Sequence, residues 1–140
     1  MKRWTGFLVL AAAALWVQPP GSLEAQAPAP ARRTVEIRSY NLKAGGRAEF
    51  HRLAIEQAVP MLRRWKVDVV AHGPSSHDET SYYLIRSFAD AAERQRSEDA
   101  FYGSDEWRKG PRDAVLALIE SYTTVVLELD EQTLRGLRRP

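Results

Sequence analysis

Apolar and polar positions alternate from Thr34 to Leu42, with Val35, Ile37 and Ser39 on one side and Glu36, Arg38 and Tyr40 on the other. A period of two marks a half-buried strand. Beyond Gly45-Gly46 the period lengthens. Phe50, Leu53, Ala54, Ala58, Met61, Leu62 and Trp65 share one helical stripe, and Arg52, Glu56, Arg63 and Arg64 occupy much of the rest. Pro60 falls inside that stripe. It has no N–H and its ring crowds the preceding turn, so a kink or break is expected near Val59. Val67 to Ala71 reads as a second strand. His72 to Glu79 reads as a loop built on Gly73-Pro74-Ser75-Ser76. Thr80 to Ser87 reads as a third strand, Tyr83 and Ile85 opposing Tyr82, Leu84 and Arg86. Asp90 is placed to cap the next helix, with Glu93 completing a capping box. That helix, Ala91 to about Ala100, has mainly alanine for an apolar side, so shallow packing is expected. Ser104 caps a short turn through Trp107. Pro111 opens a further helical segment that buries Val115, Leu118 and Ile119. Ser121 to Leu129 alternates again as a fourth strand.

The order β-α-β-β-α-β defines an α+β, ferredoxin-like unit with helices over one face of a four-stranded sheet. By alternation, the face opposite the helices is expected to carry Arg38, Tyr40, Tyr82, Leu84, Arg86, Tyr122, Thr124 and Val126. So aromatic a face is costly to leave in water, and a second copy closing over it, a homodimer, is the economical solution.

The N-terminus adds a targeting signal. Met1 to Arg3 is basic, Trp4 to Val17 is almost continuously apolar, and breakers at Gln18-Pro19-Pro20-Gly21 precede small residues at Ala25 and Ala27. This is the three-part order of a secretory signal peptide, assigned to 1–25, and the run is short for a span of about 20 residues. Residues 26–33 read as a disordered lead, 34–130 as the folded domain and 131–140 as a polar tail. The 140 residues suffice for one domain. There is no cysteine, which excludes disulfides, thiolate metal sites and a lipidated anchor. Export without cysteine suits a bacterial periplasm or exterior. Arginine outnumbers lysine 16 to 4, yet the net charge is only +2 and the two signs are interspersed. A nucleic-acid binder concentrates its positive charge on one face, so nucleic acid is not an expected partner.

Three stretches carry a resemblance. Val35 to Gly45, with its Glu36-x-Arg38-x-Tyr40 strand and lysine-containing turn, resembles the opening of the NIPSNAP family. Arg86-Ser87-Phe88 followed by Asp90 is similar to that family's exit from strand three. Ser104-Asp105-Glu106-Trp107 is similar to its acidic-tryptophan segment. The likeness spans about 33 to 130. It implies a dimeric α+β barrel, in which the sheets of two subunits join with helices outside. Relatives of that superfamily include cofactor-independent monooxygenases, haem-degrading enzymes and small-molecule binders, with ligands in a cleft between sheet and helices.

Candidate chemistry centres on Arg38. A guanidinium in mid-strand requires a partner. That partner is either a ligand carboxylate or enolate, or a buried carboxylate such as Glu36 or Glu128, or a second subunit. Tyr40 shares its face, and Tyr82 with Arg86 repeats the pair on the third strand; these residues suit a polar pocket or a wet interface. His51, beside Phe50, suits a general base if it tips toward the sheet, and otherwise sits at a cleft edge. The same imidazole suits a haem iron, but no cofactor and no metal are assigned. His72 and His77, with Asp78 and Glu79, lack a fixed ligand geometry. Trp107 either lids a pocket or packs helix on helix. Serines without a nucleophile elbow do not support hydrolase chemistry. Two classes of function follow: a homodimeric module that binds a small molecule or a protein, which is preferred, and a cofactor-independent monooxygenase or isomerase acting on an aromatic or polyketide-like compound.

Overall fold

The computed structural model describes residues 31–138. The expected signal peptide and most of the expected lead lie outside the described residues. Strand β1 (Arg32–Leu42) starts two residues before the alternation predicts, and helix α1 (Arg47–Leu53) follows. Gly45, at φ 77°, turns the chain between them in the left-handed region that favours glycine. Helix α2 (Val59–Arg64) continues from α1 through a wider π-helical turn at Ala54–Ala58. Pro60 therefore neither breaks nor sharply ends the helix. Widening the preceding turn accommodates the missing N–H and the ring.

Strands β2 (Asp68–Pro74) and β3 (Ser81–Phe88) come next, then helices α3 (Ala91–Gly103), α4 (Asp105–Lys109) and α5 (Arg112–Leu118). Strand β4 (Ile119–Asp130) and helix α6 (Glu131–Leu137) complete the chain. Both expected caps form. Asp90 accepts from the Glu93 N–H at 2.7 Å while the Glu93 carboxylate accepts from the Ala89 N–H, and Ser104 accepts from the Trp107 N–H at 3.2 Å.

The strands pair antiparallel in the order β2-β3-β1-β4, the ferredoxin-like arrangement. The sheet is open, with β2 and β4 as its edges, and the expected dimeric α+β barrel is overturned. The expected assignment of faces is inverted as well. Glu36, Arg38, Tyr40, Tyr82, Leu84 and Arg86 point toward α1 to α5, where Tyr82 reaches His51 of α1 and both arginines reach Glu98 and Tyr102 of α3. The chain's own helices cover the face that a partner sheet was expected to close. On the other face Val35 and Val70 pack with Leu134 of α6, flanked by Ile37, Ile85, Leu127 and Leu129.

Two elements depart from expectation for a physical reason. In α3 the alanines Ala91, Ala92 and Ala100 are exposed, and the inward positions are Arg94, Glu98 and Tyr102, one helical turn apart, with Phe101 beside them. The helix packs through charge rather than through an apolar stripe. The polar tail also folds. Asp130 caps α6 through the Thr133 N–H at 2.9 Å, Leu134 is fully buried, and Arg138 holds Asp68 through both carboxylate oxygens at 2.8 and 2.7 Å. Among the described residues no helix is long and apolar enough to cross a membrane.

Candidate functional site

The register places opposite charges side by side. Glu36 on β1 is directly across from Arg86 on β3, and Tyr40 is across from both Tyr82 and Tyr122. Glu36 and Arg86 are fully buried and ion-paired. Arg94 and Glu98 come down from α3, so that three guanidiniums (Arg38, Arg86, Arg94) share two carboxylates (Glu36, Glu98). Arg38 Nη2 donates to Glu98 at 3.1 Å and lies 3.1 Å from Glu36; its Nη1 donates to the Tyr102 hydroxyl at 3.0 Å. Arg86 donates to the same hydroxyl at 3.2 Å. Arg38 thus has internal carboxylate partners, Glu36 as anticipated and Glu98 in place of Glu128. Glu128 instead accepts from the Thr34 hydroxyl at 2.7 Å.

Burial works against the charge on Glu36, but the adjacent Arg86 and Arg38 outweigh it and bring the carboxyl down to about 2. Glu98 moves the other way: burial raises it, and the neighbouring Glu36 adds to the rise. The charge is therefore held on Glu36, and Glu98 is the carboxyl that takes up a proton first.

Beside this network lies a cleft of about 590 Å³ between α3, α5 and the β1–β4 pair. Arg38 and Tyr40 reach it from the sheet, Glu98 and Tyr102 from α3, Trp107 from α4, and Tyr122 from β4. The Arg38 guanidinium carbon sits 5.2 Å from the Tyr122 ring centre and 5.8 Å from that of Tyr102, within cation–π range. A small inner cavity of about 50 Å³ adjoins it, sharing Tyr40, Tyr102, Trp107 and Val115 and adding Phe50, Tyr82 and His72 to its wall.

The expected site residues divide accordingly. Arg38, Tyr40 and Trp107 meet at the cleft. Trp107 is buried against Phe101 and Tyr102, ring centres 5.3 and 5.6 Å away, so it both packs helices and lines the cleft. Phe50 is a core residue between Tyr40 and Tyr82 at 5.3 and 5.0 Å. Arg86 stands behind Arg38, shut off from solvent. His51 lines neither cavity.

His51 belongs to a second cluster instead. Its Nδ1 lies 2.9 Å from the Tyr82 hydroxyl, and Nδ1 of His72 lies 3.1 Å from the same oxygen. A phenol has one proton to donate, so at least one of the two imidazoles donates from Nδ1. Burial raises Tyr82 to about 12, keeping it a neutral phenol. His72 reaches this cluster through a β-bulge between Val69 and Ala71, which turns it onto the helix side of the sheet opposite Leu84. Regular alternation from Val69 would have pointed it away. His77 is exposed at the other end of the loop, and no metal-ligating group of three or more His, Cys, Asp or Glu occurs among the described residues.

Burial, then Arg63 and His51, lower the pKa of His72. The unfolded chain therefore takes up a proton on this group before the folded chain does. The stability that neutral His72 contributes is complete above its ordinary value of about 6.5 and is lost as pH falls below it. Urea midpoints measured at about pH 7.5 and about pH 5.5 are expected to differ more for the parent than for His72→Gln; equal differences would remove His72 as the cause.

Sequence reasoning missed Arg94, Glu98 and Tyr102. Their i, i+4, i+8 spacing was visible, but a polar stripe reads as a solvated face until the sheet beneath is known to carry the complementary charges.

No family model matches the chain, and no curated protein matches it. Solved structures do. A NIPSNAP family protein from Agrobacterium tumefaciens superposes with a TM-score of 0.65 at 16% identity, over 71% of this chain and 87% of that one. An uncharacterised NIPSNAP-like domain protein from Burkholderia xenovorans gives 0.63 at 18% identity, over 68% and 83%. A protein described as a putative antibiotic biosynthesis monooxygenase from Nitrosomonas europaea gives 0.53 at 15% identity, over 68% and 88%. At these identities the likeness establishes a shared fold.

Proposed function

We propose that this chain is an exported, NIPSNAP-like homodimeric module that binds a small molecule in the cleft beside Arg38. The cleft carries the reading. Its volume of about 590 Å³ falls in the range of small-molecule sites, and its walls combine aromatic rings with a few convergent polar groups. Binding is favoured over turnover by where the bases lie. His51 is spent on Tyr82, and Glu98, a carboxylate that lines the cleft, is held by three arginines. A fragment soak with one- and two-ring aromatic compounds is expected to place a ring between Trp107 and Tyr122; fragments found only elsewhere would end this reading.

The proposed dimer uses the β4 edge rather than the sheet face. Among the described residues this 12-residue strand is a sheet edge, and it leaves Tyr122, Val125 and Val126 exposed at 59%, 51% and 47%. Long apolar edges are covered in stable proteins. Light scattering of the chain from residue 26 onward is expected to give twice the monomer mass, and Val125→Lys with Val126→Lys is expected to give the monomer. A parent that stays monomeric at micromolar concentration would refute the dimer and leave the cleft reading standing.

A further inference from the structure

We propose that the ligand is a small planar monoanion, an aromatic carboxylate of one or two rings, seated with its carboxylate on Arg38. This deepens the binding reading above and depends on it. The first ground is the balance of the buried network, in which three guanidiniums meet two carboxylates and leave one positive charge uncompensated. The second is the hydrogen-bond count. Nε of Arg38 and Nε of Arg86 are buried without an acceptor, so the network is short of acceptors rather than donors. The surplus cation is relieved by a ligand that brings one carboxylate; the two Nε atoms are themselves out of a ligand's reach, and their lack of acceptors shows only that the network has no internal group to spare for Arg38.

The third ground is position. Arg86 is sealed, at 1% exposure, whereas the Arg38 side chain keeps 13% and faces the cleft. Arg38 is the member of the network that a ligand can touch. Its Nη2 is taken by Glu98 and Glu36 and one Nη1 proton by Tyr102, which leaves the second Nη1 proton for a ligand carboxylate.

The fourth ground is the wall. Tyr40, Tyr102, Trp107 and Tyr122 line the cleft, the rings of Tyr102 and Tyr122 within cation–π range of the guanidinium, and Val115 and Ile119 add apolar surface. Flat aromatic walls favour a flat ligand body, and apolar surface disfavours a second charge on it. The remaining charged lining residues do not reverse this preference. Glu98 is offset by its three arginines and Arg112 pairs with Asp113 at the surface, while Asp99, hydrogen-bonded to the Gln95 amide at 2.9 Å, keeps its charge but is exposed, where water screens it. A dianion such as a phosphate monoester would exceed the single surplus charge, and a cationic ligand would meet Arg38 unscreened.

The test compares three probes of one shape by calorimetry at low salt: naphthoate, the neutral naphthamide and the cationic naphthylmethylammonium. Naphthoate is expected to bind about tenfold or more tightly than the amide, with the ammonium weakest. Arg38→Met is expected to bring naphthoate down to the affinity of the amide. Arg38 touches a buried network, so a second variant guards against misfolding: Leu116→Ala, in an exposed wall residue of α5 away from the β4 edge, is expected to weaken naphthoate and naphthamide together. An amide that binds as well as the carboxylate, or an ammonium that binds best, overturns the anion proposal while the cleft remains a binding site. Failure of all three probes overturns both.

Discussion

Arg86→Leu is expected to cost the folded state about 3–5 kcal/mol, the range for removing one partner from a buried ion pair. Glu36 has no exposure and would keep its charge with only Arg38 and Arg94 at hand. The loss is expected to fall at the low end of that range, because Arg38 and Arg94 still face Glu36 and two guanidiniums then balance two carboxylates, whereas Glu36→Leu leaves three guanidiniums with Glu98 alone and is expected to cost more. Urea unfolding of the two single variants beside the parent would decide the matter, and a Glu36→Leu variant more stable than Arg86→Leu would contradict it. The pH dependence gives the same network a second readout. The pKa of Glu36 is brought down to about 2, so its contribution is complete above the ordinary carboxylate value of 4.5 and is lost as pH falls from there toward 2. Glu98, raised by burial, opposes it: folding is favoured where Glu98 is protonated and loses that contribution as pH rises through its folded value.

Leu134→Ala is expected to cost about 2–5 kcal/mol, the usual range for emptying a buried leucine site. Leu134 is wholly buried against Val35 and Val70, and these three form the core beneath the sheet face that lacks the large helices. Truncation after Asp130 is expected to match or exceed that loss, because it also removes the Arg138 hold on Asp68. Thermal unfolding of both would check this; a truncated chain melting with the parent would make α6 an ornament rather than part of the core. If the tail carries this weight, the folded unit runs past Asp130, where alternation ends.

Alternation and capping were enough to read the four strands, the cap at Asp90 and Glu93 and the turn at Ser104, since each depends on neighbours within a few residues. The disturbance at Pro60 was legible too, but its form was not, because a π-helical turn and a break both answer a missing N–H. The α6 helix is not legible in the sequence, because one buried leucine among polar residues makes no periodic pattern. By its own segment His72 reads as part of a loop; the bulge that turns it inward is a property of the paired strands.

The amino-acid sequence by itself determined that Glu36, Arg38 and Tyr40 share one face of a strand, and that Tyr82 and Arg86 share one face of another, because side chains alternate with a strict period of two. Only the tertiary structure decided that this is the face beneath the helices. Alternation relates residues to one another and not to the layer that covers them. It took the descent of Arg94, Glu98 and Tyr102 from α3, where charge stands in for an apolar stripe, to turn that face into a buried ionic network with one arginine at the edge of a cleft.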